Sequence, residues 1–581
     1  MKTTLNGTEN GWQRVASYGE LEKTGQLTVQ AGEQTLALVL HEGQVFAIDN
    51  RCPHMGFPLD RGTVRDGILT CHWHHARFDL ASGGTFDLWA DDVPAFPVDL
   101  REGELWVNTR QNGSRHARQC ERLEVGLERN LSLVIAKAVL LQEAQDDPAG
   151  PFRAGLTFGT RNRLDGWGQG LTILTCMQNM LPQLEADERP RALYQGLSAL
   201  ANEVSGEPPR FAIRPLPGAG RDIETLKVWL RQFVEVRDEQ GAERCVISAL
   251  EAGATRQQMA DMLLAAVTDH RYIDVGHPAD FTNKAFEALD HVGDEYAAPA
   301  LTCLVRGFAQ ATRMEEDNAW RYPIDLVELL EAAFELLPEA LAAGQGKTWT
   351  GRIALAALIL EDDPAATLEA MLEALREGAT MVELASTVTY AGALRIARFH
   401  TSNEFGDWDT ALHSFTFANA IEQGLRRAPS LELLRGALDA AMSVYLDRFL
   451  NIPAARLPRP NGASAPAEES LAALPELLNN QQQVNEAGGL VADYFHAGGE
   501  AGPMLAMLGR LLLREDRDFH TIQMVEAAMR QIQLLGPGEE GTHVLVAAAR
   551  YLAAHAPTVR AQGQTWRVAR RLHRGESLFE G

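Results

Sequence analysis

One Cys and His pair stands at Cys52-Pro53-His54, and a second follows sixteen residues later at Cys71-His72-Trp73-His74. No other feature constrains the fold of this chain as tightly, because two such pairs serve one metal centre only if the scaffold brings two turns together. The neighbouring sequence supplies that scaffold. Short β-type runs span Leu27 to Gln30, Leu36 to Leu40, Val45 to Ile48, Ile68 to Cys71, Phe96 to Leu100 and Leu105 to Val107, with turn formers such as Glu42-Gly43 and Asp66-Gly67 between them. A small antiparallel β domain is predicted, with one Cys and one His on each of two turns.

Two kinds of centre use these four ligands. Cys2His2 is a zinc set, although zinc sites favour closely spaced Cys pairs. Two thiolates on one iron and two imidazoles on the other make a Rieske [2Fe-2S] cluster, whose potential lies above that of plant-type ferredoxins. Residues 12–109, under a fifth of the chain, resemble a Rieske ferredoxin of the kind that serves ring-hydroxylating oxygenases. The likeness rests on the four ligands and on Gly56, Pro58, Leu59, Gly62, Gly67 and Phe78-Asp79. It implies that Cys52, His54, Cys71 and His74 bind the cluster and that a separate reductase supplies electrons. The loops lack the extra cysteine pair of respiratory-complex Rieske proteins, which implies a potential low in the family range. His72 stands where the family usually has Pro, and His75 where it usually has Gly.

After Arg110 the texture changes to amphipathic segments rich in Ala, Leu and Glu, and this continues almost to the C-terminus. The chain therefore reads as multidomain: a small N-terminal antiparallel all-β Rieske domain over residues 1–110, then a large all-α domain over 111–452. A Pro- and Ala-rich linker over 453–470 and a C-terminal helical region over 471–581 complete it. An internal helix-turn-helix repeat is read at about 240–300 and 365–425, because Ala249 to Thr255 recurs as Ala374 to Thr380. Each copy offers a C′ glycine and an N-capping threonine, with Gln258 or Glu383 three residues on. This turn is similar to one in carboxymuconolactone-decarboxylase-like helical proteins.

Histidines near both copies suggest a second metal centre. Allowing a two-residue gap, His277 aligns with His400 and Asp290 with His413, while Glu287 precedes His291 and Asp409 precedes His413 by four residues, on one helix face. The candidate ligands are His277, Asp290, His291, His400 and His413, with Asp274, Asp280 and His520 behind them, for a non-haem iron held by facing helices. Leu412-His413-Ser414-Phe415-Thr416 faintly resembles questin-oxidase-type non-haem iron oxygenases. The weight of single helical histidines as ordinary surface or core residues is comparable.

Other motifs exclude chemistry. Gly344-Gln345-Gly346-Lys347-Thr348 lacks the first phosphate-loop glycine, since Leu341 occupies it, and Gly166, Gly168 and Gly170 lack dinucleotide spacing. The net charge of -25 argues against nucleic acid and anionic membrane surfaces. No apolar run suits a membrane span or signal peptide, so a cytoplasmic protein is expected, and an oligomer is compatible with the sequence. Of the remaining cysteines, Cys120, Cys176, Cys245 and Cys303 read as small buried hydrophobes. Two functions follow: an oxidoreductase whose cluster feeds a non-haem iron oxygenase site acting on O2 and a small organic substrate, or a non-catalytic ferredoxin carrier with a helical docking or oligomerisation scaffold.

Overall fold

The computed structural model describes residues 8–9, 11–32, 34–110, 115–143, 149–163, 165–218, 222–458, 466–576 and 578. Its contacts divide the chain into two units, Met1–Ala154 with Gln562–Gly581, and Gly155–Ala561.

In the first unit the strands are β1 (Thr8–Glu9), β2 (Trp12–Ser17), β3 (Gln26–Ala31), β4 (Gln34–His41), β5 (Gln44–Asp49), β6 (Thr63–Arg65), β7 (Ile68–Thr70), β8 (Arg77–Asp79), β9 (Ala95–Phe96), β10 (Val98–Arg101) and β11 (Glu104–Asn108). They form sheets ordered β1-β2-β11-β10, β3-β4-β5-β9 and β6-β7-β8. Three hairpins share one device. Two-residue turns at Glu42-Gly43, Asp66-Gly67 and Glu102-Gly103 all take positive φ, the conformation whose twist matches that of the flanking strands, and so they fix the register.

Strand β4 is buried on both faces, and its alternation serves two cores. Leu36 and Leu38 join Leu21, Leu105 and Val107 on one side, whereas Ala37 and Val39 point to the other, beside Ile48, Leu59, Phe78 and both Cys52 and Cys71. The cysteines thus sit in a hydrophobic core that the period of two in β4 dictates. Helices Tyr18–Thr24, Arg115–Glu128, Ser132–Glu143 and Ala561–His573 also belong to this unit, and Gly150–Arg161 runs across its boundary.

Among the described residues, the regular structure of Gly155–Ala561 is helical. The expected turns are built as the residues dictate. Gly253 and Gly378 take φ of +82° and +108°, and Thr255 with Gln258 and Thr380 with Glu383 form reciprocal capping boxes. Beyond these turns the two segments diverge. After Arg256–Val267 the chain makes a left-handed turn and His277 opens a new helix, His277–Val292, whereas the second copy runs on as one longer helix, Met381–Ala397. The 277–292 helix packs on Gln169–Met180 and Phe405–Arg427, and Phe519–Leu535 packs on both of those. Among the described residues, no helix is long and apolar enough to cross a membrane.

Candidate metal centres

The two ligand turns of the β domain have the same backbone plan. In the first, the Cys52 N–H donates to the Phe57 carbonyl and the Gly56 N–H donates back to Cys52, both at 2.8 Å; in the second, Cys71 pairs with Ala76 at 2.8 Å and His75 donates to Cys71 at 3.0 Å. The fourth residue after each cysteine is left-handed, Gly56 at φ +84° and His75 at φ +64°. This explains why glycine suits both places, and histidine is among the side chains that tolerate the conformation better than most. His72 hydrogen-bonds Thr63 and lies outside the ligand set.

Burial orders the four predicted ligands from inside to outside. Cys52 and Cys71 are buried, His54 is half-buried and His74 is exposed. The thiols hydrogen-bond each other, which pushes Cys52 up and brings Cys71 down to about 6. The His54 and His74 rings meet edge to face with centroids 4.8 Å apart, and burial, His74 and Lys137 lower His54 to about 4. His54 Nδ1 is buried without a hydrogen-bond partner. A buried, unsatisfied ring nitrogen is costly unless it binds something, so the donor set fits two irons with the imidazole side outermost. The two turns would hold the cluster, and the group would supply one-electron transfer.

Comparison with known proteins agrees. Residues 11–97 match the family described as Rieske [2Fe-2S] domain. The ferredoxin component of an alkene monooxygenase system from Xanthobacter autotrophicus is 31% identical over 87 residues, covering 15% of this chain and 71% of that protein. The chain belongs to the Rieske [2Fe-2S] family. A second Rieske relative, the ferredoxin subunit of 3-phenylpropionate/cinnamic acid dioxygenase from Photorhabdus laumondii, is 30% identical over 78 residues, covering 13% of this chain and 74% of its own length. Human apoptosis-inducing factor 3 is 23% identical over 202 residues, 35% of this chain, which spans only 30% of that relative's length.

In the helical unit His277, His413 and His520 come together, with one candidate ligand nitrogen of each lying within 4.8 Å of the others. His413 and His520 face each other Nε2 to Nε2 at 3.0 Å, and ring centroids lie 4.8 Å apart for His277 with His413 and for His413 with His520. Burial and the neighbouring rings hold His277 at about 4 and His413 at about 3, which leaves both as neutral imidazoles. Phe281 and Phe519 wall the His277 ring. The carboxylate four residues before His413 serves a different ring: Asp409 lies 3.5 Å from His520 Nδ1 and also accepts from the Tyr551 hydroxyl. A proton on Nδ1 leaves His520 Nε2 free to point at the other two rings.

The backbone before His277 is strained. Tyr272, Asp274 and Val275 have φ of +47°, +44° and +49°, and Gly276 follows at +91°. A β-branched valine in this region is a genuine outlier, and such strain costs on the order of 1–3 kcal/mol per residue and clusters at functional sites. Gly276 is obligatory for a second reason: a Cβ there would lie 2.6 Å from the Cβ of Phe417, on the helix that carries His413.

The other predicted ligands lie elsewhere. Asp290 is taken by Arg256 and Arg427, His291 pairs with Asn179 at 2.8 Å, and His400 sits in a turn against Ser402 at 2.7 Å. The alignment of His277 with His400 therefore joins a helix start to a turn, and the alignment of Asp290 with His413 joins an arginine-bound carboxylate to a triad member. Asp274 precedes the helix within the strained turn. Asp280 is buried on the 277–292 helix beside Gln523, in a polar seam where Lys284 bridges Glu287 and Glu526. Of the further cysteines, Cys176, Cys245 and Cys303 are buried and Cys120 is exposed.

Proposed function

We propose that the protein is an oxidoreductase in which the Rieske cluster passes electrons singly to an iron held by His277, His413 and His520, where O2 is activated against a small organic substrate. The observation that carries this reading is the convergence of three imidazoles, with His277 and His413 held neutral, beside a strained turn, in a chain whose other unit is an electron carrier. Imidazole suits zinc, copper, iron and nickel alike. Zinc has no redox chemistry, so a tethered one-electron donor gives the choice to a redox metal. Tethering raises the effective concentration of the donor.

The overall balance for hydroxylation is one C–H bond, one O2, two electrons and two protons converted to one C–OH and one water. A separate reductase would deliver the electrons through the cluster. Relatives named as ferredoxin parts of a monooxygenase system and a dioxygenase support the setting. Cys176, Cys245 and Cys303 are buried and not joined in disulfides, which suits a reducing compartment and makes the cytoplasm the proposed location.

Reoxidation of the cluster tests this proposal. Reduced full-length protein loaded with iron at the triad is mixed with O2, and the return of cluster absorbance is compared with that of protein loaded with zinc. At least tenfold faster reoxidation with iron is expected. Equal rates contradict the oxygenase reading and favour the carrier with a helical scaffold.

A further inference from the structure

We propose that Lys137 is a positioning residue for the Rieske centre, whose buried ammonium braces the first ligand turn and raises the cluster's reduction potential. It lies on the helix Ser132–Glu143, outside the family-matched segment that ends at residue 97. Its neighbours Val134, Ile135, Ala136, Ala138 and Val139 are at most 2% exposed, and Lys137 itself is 9% exposed. A lysine inside such an apolar helix is costly unless its ammonium finds partners.

It finds three, one for each proton it can donate. Lys137 Nζ donates to the carbonyl of Pro53, to the carbonyl of His54 at 3.2 Å and to Asp91 Oδ2 at 3.0 Å. Two of these acceptors belong to the turn that carries ligands Cys52 and His54. Asp91 is shared, because Arg122 Nε reaches its Oδ1 at 3.3 Å while Arg122 Nη2 takes the carbonyls of Leu88 and Ala90. The segment held in this way includes Trp89, whose ring meets the His54 ring at 4.7 Å. Lys137 therefore straps Asp91 to the first ligand turn, and Arg122, from a second helix beyond the ferredoxin segment, holds residues 88–91 in place.

The electrostatic consequence follows from charge. Reduction adds one electron to the cluster, and a fixed buried cation beside it favours the reduced form, with little screening by salt. Asp91, on the same strap, opposes it. A bracing role without an electrostatic one would not give the two residues opposite signs.

The test is a reductive titration of the full-length protein, followed by electron paramagnetic resonance, on Lys137→Met, Lys137→Arg and Asp91→Asn. Lys137→Met is expected to lower the reduction equilibrium constant at least tenfold, which for one electron is ~59 mV. Lys137→Arg should recover most of that shift, and Asp91→Asn should move the potential upward. An unchanged potential in cluster-bearing Lys137→Met overturns the proposal. If Lys137→Met holds no cluster, a potential in Asp91→Asn that stays the same or falls overturns it equally.

Discussion

Cys71→Ser is expected to give a colourless protein that loses its cluster iron, about two irons per chain, and keeps only the iron of the helical unit. Cys71 is fully buried and in hydrogen-bonding contact with Cys52, which lowers its thiol and favours the thiolate. A serine hydroxyl in that core is a poor substitute, since the sulfur ligand must bind as an anion. The loss should extend to stability. Both ligand turns are short loops ending in a shared apolar core, and the free energy of metal binding is folding free energy for such sites. Visible absorbance, iron content and thermal unfolding check this together. A variant that keeps the wild-type absorbance and iron would remove Cys71 from the ligand set.

His413→Ala is expected to weaken metal binding in the helical unit by more than ~100-fold while leaving cluster absorbance unchanged. His413 stands between the other two rings, at 4.8 Å from each by ring centroid, so its removal leaves His277 and His520 at 6.1 Å with nothing joining them. One bond further out, Asp409→Asn should cost about 10–100-fold, the usual effect of removing the carboxylate that orients a ligating histidine. Iron and zinc titrations of the purified variants, with circular dichroism as a check on folding, measure both. Wild-type affinity in His413→Ala would dissolve the triad as a site.

The Rieske half was legible because its information is local. Ligand spacing, turn glycines and alternation in Leu36 to Val39 each act within a few residues, and the β domain and its ferredoxin-type kinship follow from them. Even the departure at His75 is explained locally, by a left-handed position that glycine fills most easily. The helical half was legible as helix but not as packing. Alignment of two turns yielded His277 and His413, yet the third histidine lies 107 residues beyond His413 and was only a secondary candidate. Helical periodicity says which residues share a face, not which faces meet. Hence Asp290, on a plausible face, meets two arginines instead of a metal. Lys137 had a visible signal, a lone lysine inside Val134-Ile135-Ala136 and Ala138-Val139-Leu140, but only the fold shows that its partners are the carbonyls of a ligand turn.

Metal content and electron paramagnetic resonance of the anaerobically purified full-length protein test the account most directly. The account predicts a Rieske signal on reduction, about two irons with their sulfides in the cluster, and a third iron that His413→Ala removes. Zinc alone in the Cys52, His54, Cys71 and His74 site, or a reduced protein with no cluster signal, would contradict it.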